Sequence, residues 1–238
     1  WALAQYAHTM IASVVTASAW LLPRPFEDDV EGWMTPAAFQ ALIRLRLGLP
    51  QCDAPPHRCR LCNALGAVDN MGRHSLVCLG AGFRSAVHND LRDLVYRLAA
   101  TALLAPRREE LCFPPTSKRA DILLARAPGG RPLAIDFSVT HLDASGSFAA
   151  AAAHAGGATA AVEQHKLDKY AQLATAAGID FMPCTFDTYG ACSASGLLVL
   201  RCVARAWGRQ FDIVPARAVP LVYQRVSVTL MRGIAQLL

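Results

Sequence analysis

Charge is scarce in this chain: only 17% of its 238 residues are Asp, Glu, Lys or Arg, against 53% that are apolar. That balance excludes disorder for most of the length and leaves a globular chain able to bury a sizeable core. Arg far outnumbers Lys, and the formal excess of +5 fits a nucleic-acid partner without specifying one. Residues 1–22 contain no Asp, Glu, Lys or Arg at all. Gln5, His8 and the Ser and Thr content make that stretch a poor membrane span, so a buried helix is expected there and no membrane partner. No basic stretch precedes it, so no signal peptide is expected either. Trp1 in place of an initiator Met leads us to expect a piece of a longer protein. No internal repeat is present.

The apolar residues that fill the chain follow two periods. In "MTPAAFQALIRLRLGLP", Thr35 is placed to cap a helix and Pro36 to open it; Phe39, Leu42 and Ile43 form its stripe, and Gly48 and Pro50 stop it. A second helix is expected over about Phe83 to Leu104, with Val87, Leu91, Leu94, Val95, Leu98 and Ala102 at helical spacing. Three strands follow, around Glu110 to Phe113, Ala120 to Ala125 and Pro132 to Thr140. The low-complexity run "ASGSFAAAAAHAGGATAA" reads as a mobile loop leading into a helix over roughly Ala160 to Ala177. "IDFMPCTFDTY" is a fourth strand, and "ASGLLVLRCVARAWG" and "VYQRVSVTLMRGIAQLL" are closing helices. The order helix, three strands, helix, strand, helix predicts an α/β layer fold.

Eight cysteines occur, and three of the first four crowd around His57 and His74. That clustering favours a metal site in a reducing compartment over a disulfide framework. Cys59-x2-Cys62-x11-His74-x3-Cys78 has structural zinc spacing: the Cys-x2-Cys turn aims two thiolates at one ion, and His-x3-Cys puts two more ligands one helical turn apart. Zinc would also supply the folding energy that this core-poor segment lacks. Reactive or merely buried cysteines are the other reading, and Cys52 or His57 can replace one ligand.

Two carboxylates stand out in "RADILLARAPGGRPLAIDFSVTH". Strand alternation turns Asp121 away from Ile122 and Leu124, and turns Asp136 away from Ile135 and Phe137. A buried charge must hold a cation, pair with a base, or titrate to neutral. If the two strands pair as a hairpin, both carboxylates can meet one Mg²⁺, a hard ion suited to carboxylate and phosphate oxygens. The plainer reading ends each strand with a solvated Asp. Glu110 is a candidate third acid, Glu109 nearly as good a one, and either can equally be a solvated strand end. His141 closes the second strand as a phosphate contact or a cap.

Asp121-x14-Asp136, with Lys166-x3-Tyr170 downstream, resembles the restriction-like PD-(D/E)XK endonuclease of site-specific non-LTR retrotransposons, in which a Cys-Cys-His-Cys knuckle precedes the nuclease. "VHNDLRDLV" resembles that family's first nuclease helix and "FMPCTFDTYG" its later strand. Ala120 stands where the family usually has Pro, and Ser138 where the simplest motif has Lys. The resemblance implies a helical linker segment over 1–51, a zinc knuckle over 52–80 and a restriction-endonuclease-like core over 81–238. It implies structural Zn²⁺ and catalytic Mg²⁺ or Mn²⁺, with Asp121 and Asp136 as metal ligands and Lys166 and Tyr170 in the active site. Lys166 shares a helix face with Tyr170 and Glu163, whereas Lys169 is rotated away. The implied activity is nicking of double-stranded target DNA in the nucleus, the new 3′ hydroxyl priming reverse transcription of element RNA by an upstream reverse transcriptase. A zinc-containing module that binds nucleic acid without cutting is the first alternative, and a purely structural α/β domain the second.

Overall fold

The computed structural model describes residues 19–21, 34–53, 57–59, 62–65, 68–78, 83–141 and 156–238. The helix expected over the first 22 residues lies outside these except for a 3-10 turn, Ala19–Leu21, with Ala19 and Trp20 buried. The loop expected ahead of the helix near Ala160 likewise falls mostly outside them.

Helix α1 is Pro36–Leu47, α2 Arg73–Val77 and α3 Phe83–Thr101. Strands β1, Pro106–Leu111, β2, Arg119–Leu124, and β3, Leu133–Thr140, follow in turn. Helix α4, Gly157–Ala176, crosses over to β4, Asp180–Asp187, before α5, Ala194–Gln210, and α6, Pro215–Leu237. The sheet order is β1-β2-β3-β4; the first three strands are antiparallel and β3 pairs with β4 in parallel. The parallel pair needs a long crossover, and α4 supplies it. The chain is thus a mixed α/β protein with the element order expected from its sequence.

Helix α1 begins and ends as its caps dictate. Thr35 accepts a hydrogen bond from the Ala38 N–H, and Gly48 closes the helix at φ 64°, where a Cβ would be strained. Its buried side is Leu42 with Leu45, not Phe39, which is 45% exposed and meets Trp20 edge-on at 5.6 Å. Helix α3 buries every residue of its expected stripe but stops three residues early. Leu103 and Ala105 take positive φ, and that turn drops Leu104 into the core. Helix α6 starts seven residues before the expected Val222 and runs through Pro220. Near a helix start few N–H groups have an intrahelical partner to lose, and the packing of Ala218 and Val222 sustains the extra turns.

One face of the sheet, through Ile122, Leu124, Leu133, Ile135 and Phe137, packs with α3, α5 and α6 in the main core. Trp20, Leu42, Leu45 and Leu76 join that same core, so all three sequence segments contribute to it. On the other face α4 covers β3 and β4, and a smaller cluster there includes Phe113, Leu123, Ala134 and Ala174. Asp121 of β2 and Asp136 and Ser138 of β3 are nonetheless only partly buried. No described helix is long and apolar enough to cross a membrane.

Candidate functional site

The β2–β3 ladder runs Leu124↔Leu133, Leu123↔Ala134, Ile122↔Ile135, and the next step would set Asp121 against Asp136. The recorded pairing stops one step short. At that opening the Asp121 Oδ2 accepts the Phe137 N–H at 2.6 Å, so a side chain satisfies a backbone donor at the strand's end. The two carboxylates adjoin, close enough that each shifts the other's titration.

Each has a base of its own. His88 of α3 sets Nε2 3.0 Å from the Asp121 Oδ2, and the His88 ring meets Phe137 edge-on. Lys166 of α4 sets Nζ 2.7 Å from the Asp136 Oδ2 and donates to the Phe137 carbonyl at 3.1 Å. Of the three fates open to a buried carboxylate, both aspartates pair with a base.

The electrostatics separate them. Burial pushes the Asp121 carboxyl up, but the His88 hydrogen bond and charge, with the Phe137 N–H, outweigh it and hold Asp121 below the usual range. Burial raises Asp136, the neighbouring Asp121 adds to this, and Lys166 offsets only part, so Asp136 stays above its ordinary value. His88 is raised by its hydrogen bond to Asp121 against the opposing effect of burial. The two adjoining carboxyls are thus driven in opposite directions.

Among the described residues neither Glu110 nor Glu109 is bonded to Asp121 or Asp136; each pairs with an arginine. Glu110 lies opposite Ala120 on the β1–β2 ladder. Its carboxylate lies 3.6 Å from Arg107. Glu109, at φ 51°, pairs with Arg92 at 2.9 Å. Tyr170 packs its ring on Phe113 and Phe181, at 4.9 and 5.6 Å, a place in the smaller cluster rather than a hydrogen bond to either aspartate. Lys169 lies over the Tyr170 ring. Ser138, at the motif's lysine position, shares a hydrogen bond with Thr185 at 2.9 Å. His141 is buried, bonded through Nδ1 to Thr188 at 2.6 Å and stacked on Tyr189. Sequence reasoning did not single out His88. Its one signal is its place beside Val87, at the edge of the α3 apolar stripe, where a polar residue can reach the sheet.

The second cluster joins Cys59, Cys62, His74 and Cys78, whose ligand atoms all lie within 4.8 Å of one another. The Cys59 and Cys78 sulfurs are 3.8 Å apart, and Cys62 Sγ lies 3.2 Å from His74 Nε2. Two thiolates at ~2.3 Å from a tetrahedral ion are separated by roughly 3.8 Å, so the donor set fits one metal ion. Helix α2 carries His74, and Cys78 caps it, its N–H bonded to the His74 carbonyl at 2.8 Å. Cys52 and His57 are outside the cluster; His57 instead forms a β-bridge with Val68. Gly72, at φ 72°, leads into α2 where a Cβ would come within 2.8 Å of the Leu238 side chain. The knuckle thereby seats on the end of α6.

No known family model matches this chain, and no curated protein matches it in sequence.

Proposed function

We propose that this chain is the metal-dependent DNA endonuclease domain of a retroelement polyprotein, with a restriction-endonuclease-like core and a structural zinc knuckle. The observation that carries the reading is the junction of Asp121, Asp136 and Lys166 where β2 parts from β3. Two half-buried carboxylates from neighbouring strands are the donor set of a hard divalent ion, and Asp121 and Asp136 would hold Mg²⁺ or Mn²⁺. Bound there, such an ion activates water and neutralises charge on a scissile phosphate. Lys166 supplies a fixed cation beside Asp136, the service that a lysine at position 138 performs in the simplest form of the motif. His88 orients Asp121 and keeps it ionised. Cys59, Cys62, His74 and Cys78 would hold Zn²⁺ and tie the knuckle down. By the resemblance, the domain nicks double-stranded target DNA in the nucleus so that an upstream reverse transcriptase can copy element RNA.

The test is nicking of a supercoiled plasmid. Open circles are expected with Mg²⁺ or Mn²⁺, none with EDTA, and binding with little cutting in Ca²⁺. Binding without cutting in every metal would favour the alternative, a non-catalytic nucleic-acid-binding module; neither binding nor cutting would leave a structural domain.

Lys166 has its own expected outcome. Lys166→Ala should lower cleavage at saturating DNA by about 10²- to 10³-fold, the usual loss when one preorganised donor is removed, and shift DNA affinity little. Lys169→Ala should instead weaken binding and its salt dependence. Equal single-turnover rates for Lys166→Ala and wild type would refute the role. Adding Ser138→Lys to Lys166→Ala then asks whether a lysine two residues along the Asp136 face can take over.

A further inference from the structure

The charge excess of this protein is concentrated in its last two helices. From Ala194 to the end there are six arginines and one carboxylate, Asp212; the rest of the chain carries seventeen basic and seventeen acidic side chains. The solvent-facing seam of α5 is Ala194, Leu198, Arg201, Arg205 and Arg209, steps of three or four residues that keep one face of a helix outward. Three arginines thus stand at successive four-residue intervals with no acid interleaved. Like charges at that spacing destabilise a helix by about 0.2–0.5 kcal/mol per pair, so helix stability does not account for the arrangement.

Arginines near the sheet behave differently. Arg92 meets Asp93 and Glu109, Arg107 meets Glu110, Arg108 meets Asp93, and Arg131 meets Asp180. Among the described residues no carboxylate pairs with Arg205 or Arg209, and Arg201 donates through Nε to the Tyr223 hydroxyl, which holds its guanidinium on the ridge.

The ridge also starts at the right place. At the first turn of α5 the Ser195 N–H is bonded to Glu163 Oε1 at 2.6 Å, and Glu163 lies one turn before Lys166 on α4. At ~1.5 Å per residue, Arg201, Arg205 and Arg209 stand about 9, 15 and 21 Å along the axis from Ser195. That run is shorter than one turn of duplex, about 34 Å. The ~6 Å advance between neighbouring arginines is close to two ~3.4 Å phosphate steps of one strand along the duplex axis.

We propose that Arg201, Arg205 and Arg209 form a phosphate track that holds the backbone of the DNA leaving the carboxylate site. The proposal rests on the nucleic-acid-binding half of the reading above and not on cleavage. The contacts are to phosphates, so the track fixes register and supplies affinity without reading sequence.

Its test is the salt dependence of binding to a fluorescently labelled 30-base-pair duplex in Ca²⁺, from 50 to 200 mM KCl. The variants are Arg205→Gln/Arg209→Gln and, as a charge-matched control, Arg107→Gln/Arg131→Gln. Gln and Arg have similar helix propensities and both ridge positions are exposed, so the ridge variant keeps its fold. Each lost phosphate contact lowers the log–log salt slope by ~0.9, so over this range wild-type affinity should fall about tenfold further than that of the ridge variant. The control should keep the wild-type slope. An unaltered slope in the ridge variant, an equal loss in the control, or no duplex binding by wild type at 50 mM salt would overturn the track. So would ridge-dependent sedimentation with phosphatidylserine vesicles alongside an unaltered duplex slope, which would assign the arginines to a lipid surface. A lowered slope in a protein that never nicks would leave the track standing and remove the catalytic reading alone.

Discussion

Asp121→Asn and Asp136→Asn are each expected to lose plasmid nicking by about 10³-fold or more, roughly 4 kcal/mol of transition-state stabilisation. Both substitutions keep the size of the side chain and remove the charge on which a divalent ion depends. At position 121 the amide oxygen can still accept the Phe137 N–H that the carboxylate takes at 2.6 Å, so the strand end stays satisfied. Asp121→Ala leaves that donor without its acceptor and should cost about 1–3 kcal/mol in thermal or urea unfolding besides the activity. Comparing the two at one position separates loss of the fold from loss of the chemistry. At position 136 the substitution leaves the ammonium of Lys166, whose side chain is 16% exposed, without its counter-charge. Lys166 can then swing toward water, so a modest loss of stability is expected there. Wild-type cleavage by either Asn variant at saturating Mg²⁺ would show that the carboxylates do not hold the ion.

Removing the metal from the Cys-Cys-His-Cys cluster is the second large effect. One zinc per chain is expected by elemental analysis, and chelation or Cys62→Ser should unfold residues 52–80 while the sheet persists. In zinc-finger peptides the ion contributes about 10–16 kcal/mol of apparent folding free energy at neutral pH, far more than a segment of this size draws from apolar burial. Here Leu76 is the main buried apolar side chain of the described knuckle, 2% exposed and joined to the core beneath α6. Without the ion, Cys59 and Cys78 are left as two buried sulfurs 3.8 Å apart with no common partner. The segment should then open at its tryptic sites, Arg58, Arg60 and Arg73, while hydrogen exchange in β2 and β3 stays slow. Absence of zinc, or a protease pattern unmoved by Cys62→Ser, would remove the metal from the account.

Local interactions account for what the sequence by itself determined. The caps of α1 act over three or four residues, and so do the turn between Cys59 and Cys62 and the helical step from His74 to Cys78. Strand alternation set Asp121 and Asp136 apart from their apolar neighbours, and helical spacing put Lys166, not Lys169, on the face of α4 that meets the sheet. Each of these follows from the geometry of a single element.

What only the tertiary structure decided lies between elements. His88 is 33 residues from Asp121, and no period in either segment announces that α3 crosses β2 at that point. Glu109 and Glu110 are neighbours in sequence, yet one pairs with Arg92 of α3 and the other with Arg107 of its own strand. Phe39 has the hydropathy of a core residue, yet the approach of α6 buries Leu45 in its stead, because packing selects the side chains that a neighbour covers. The opposed shifts of Asp121 and Asp136 arise in the same way. Burial pushes both side chains up; the histidine from α3 and the Phe137 N–H more than offset it at Asp121, whereas the lysine from α4 does not at Asp136, and the strength of such interactions is set by distance and burial, which no linear spacing contains.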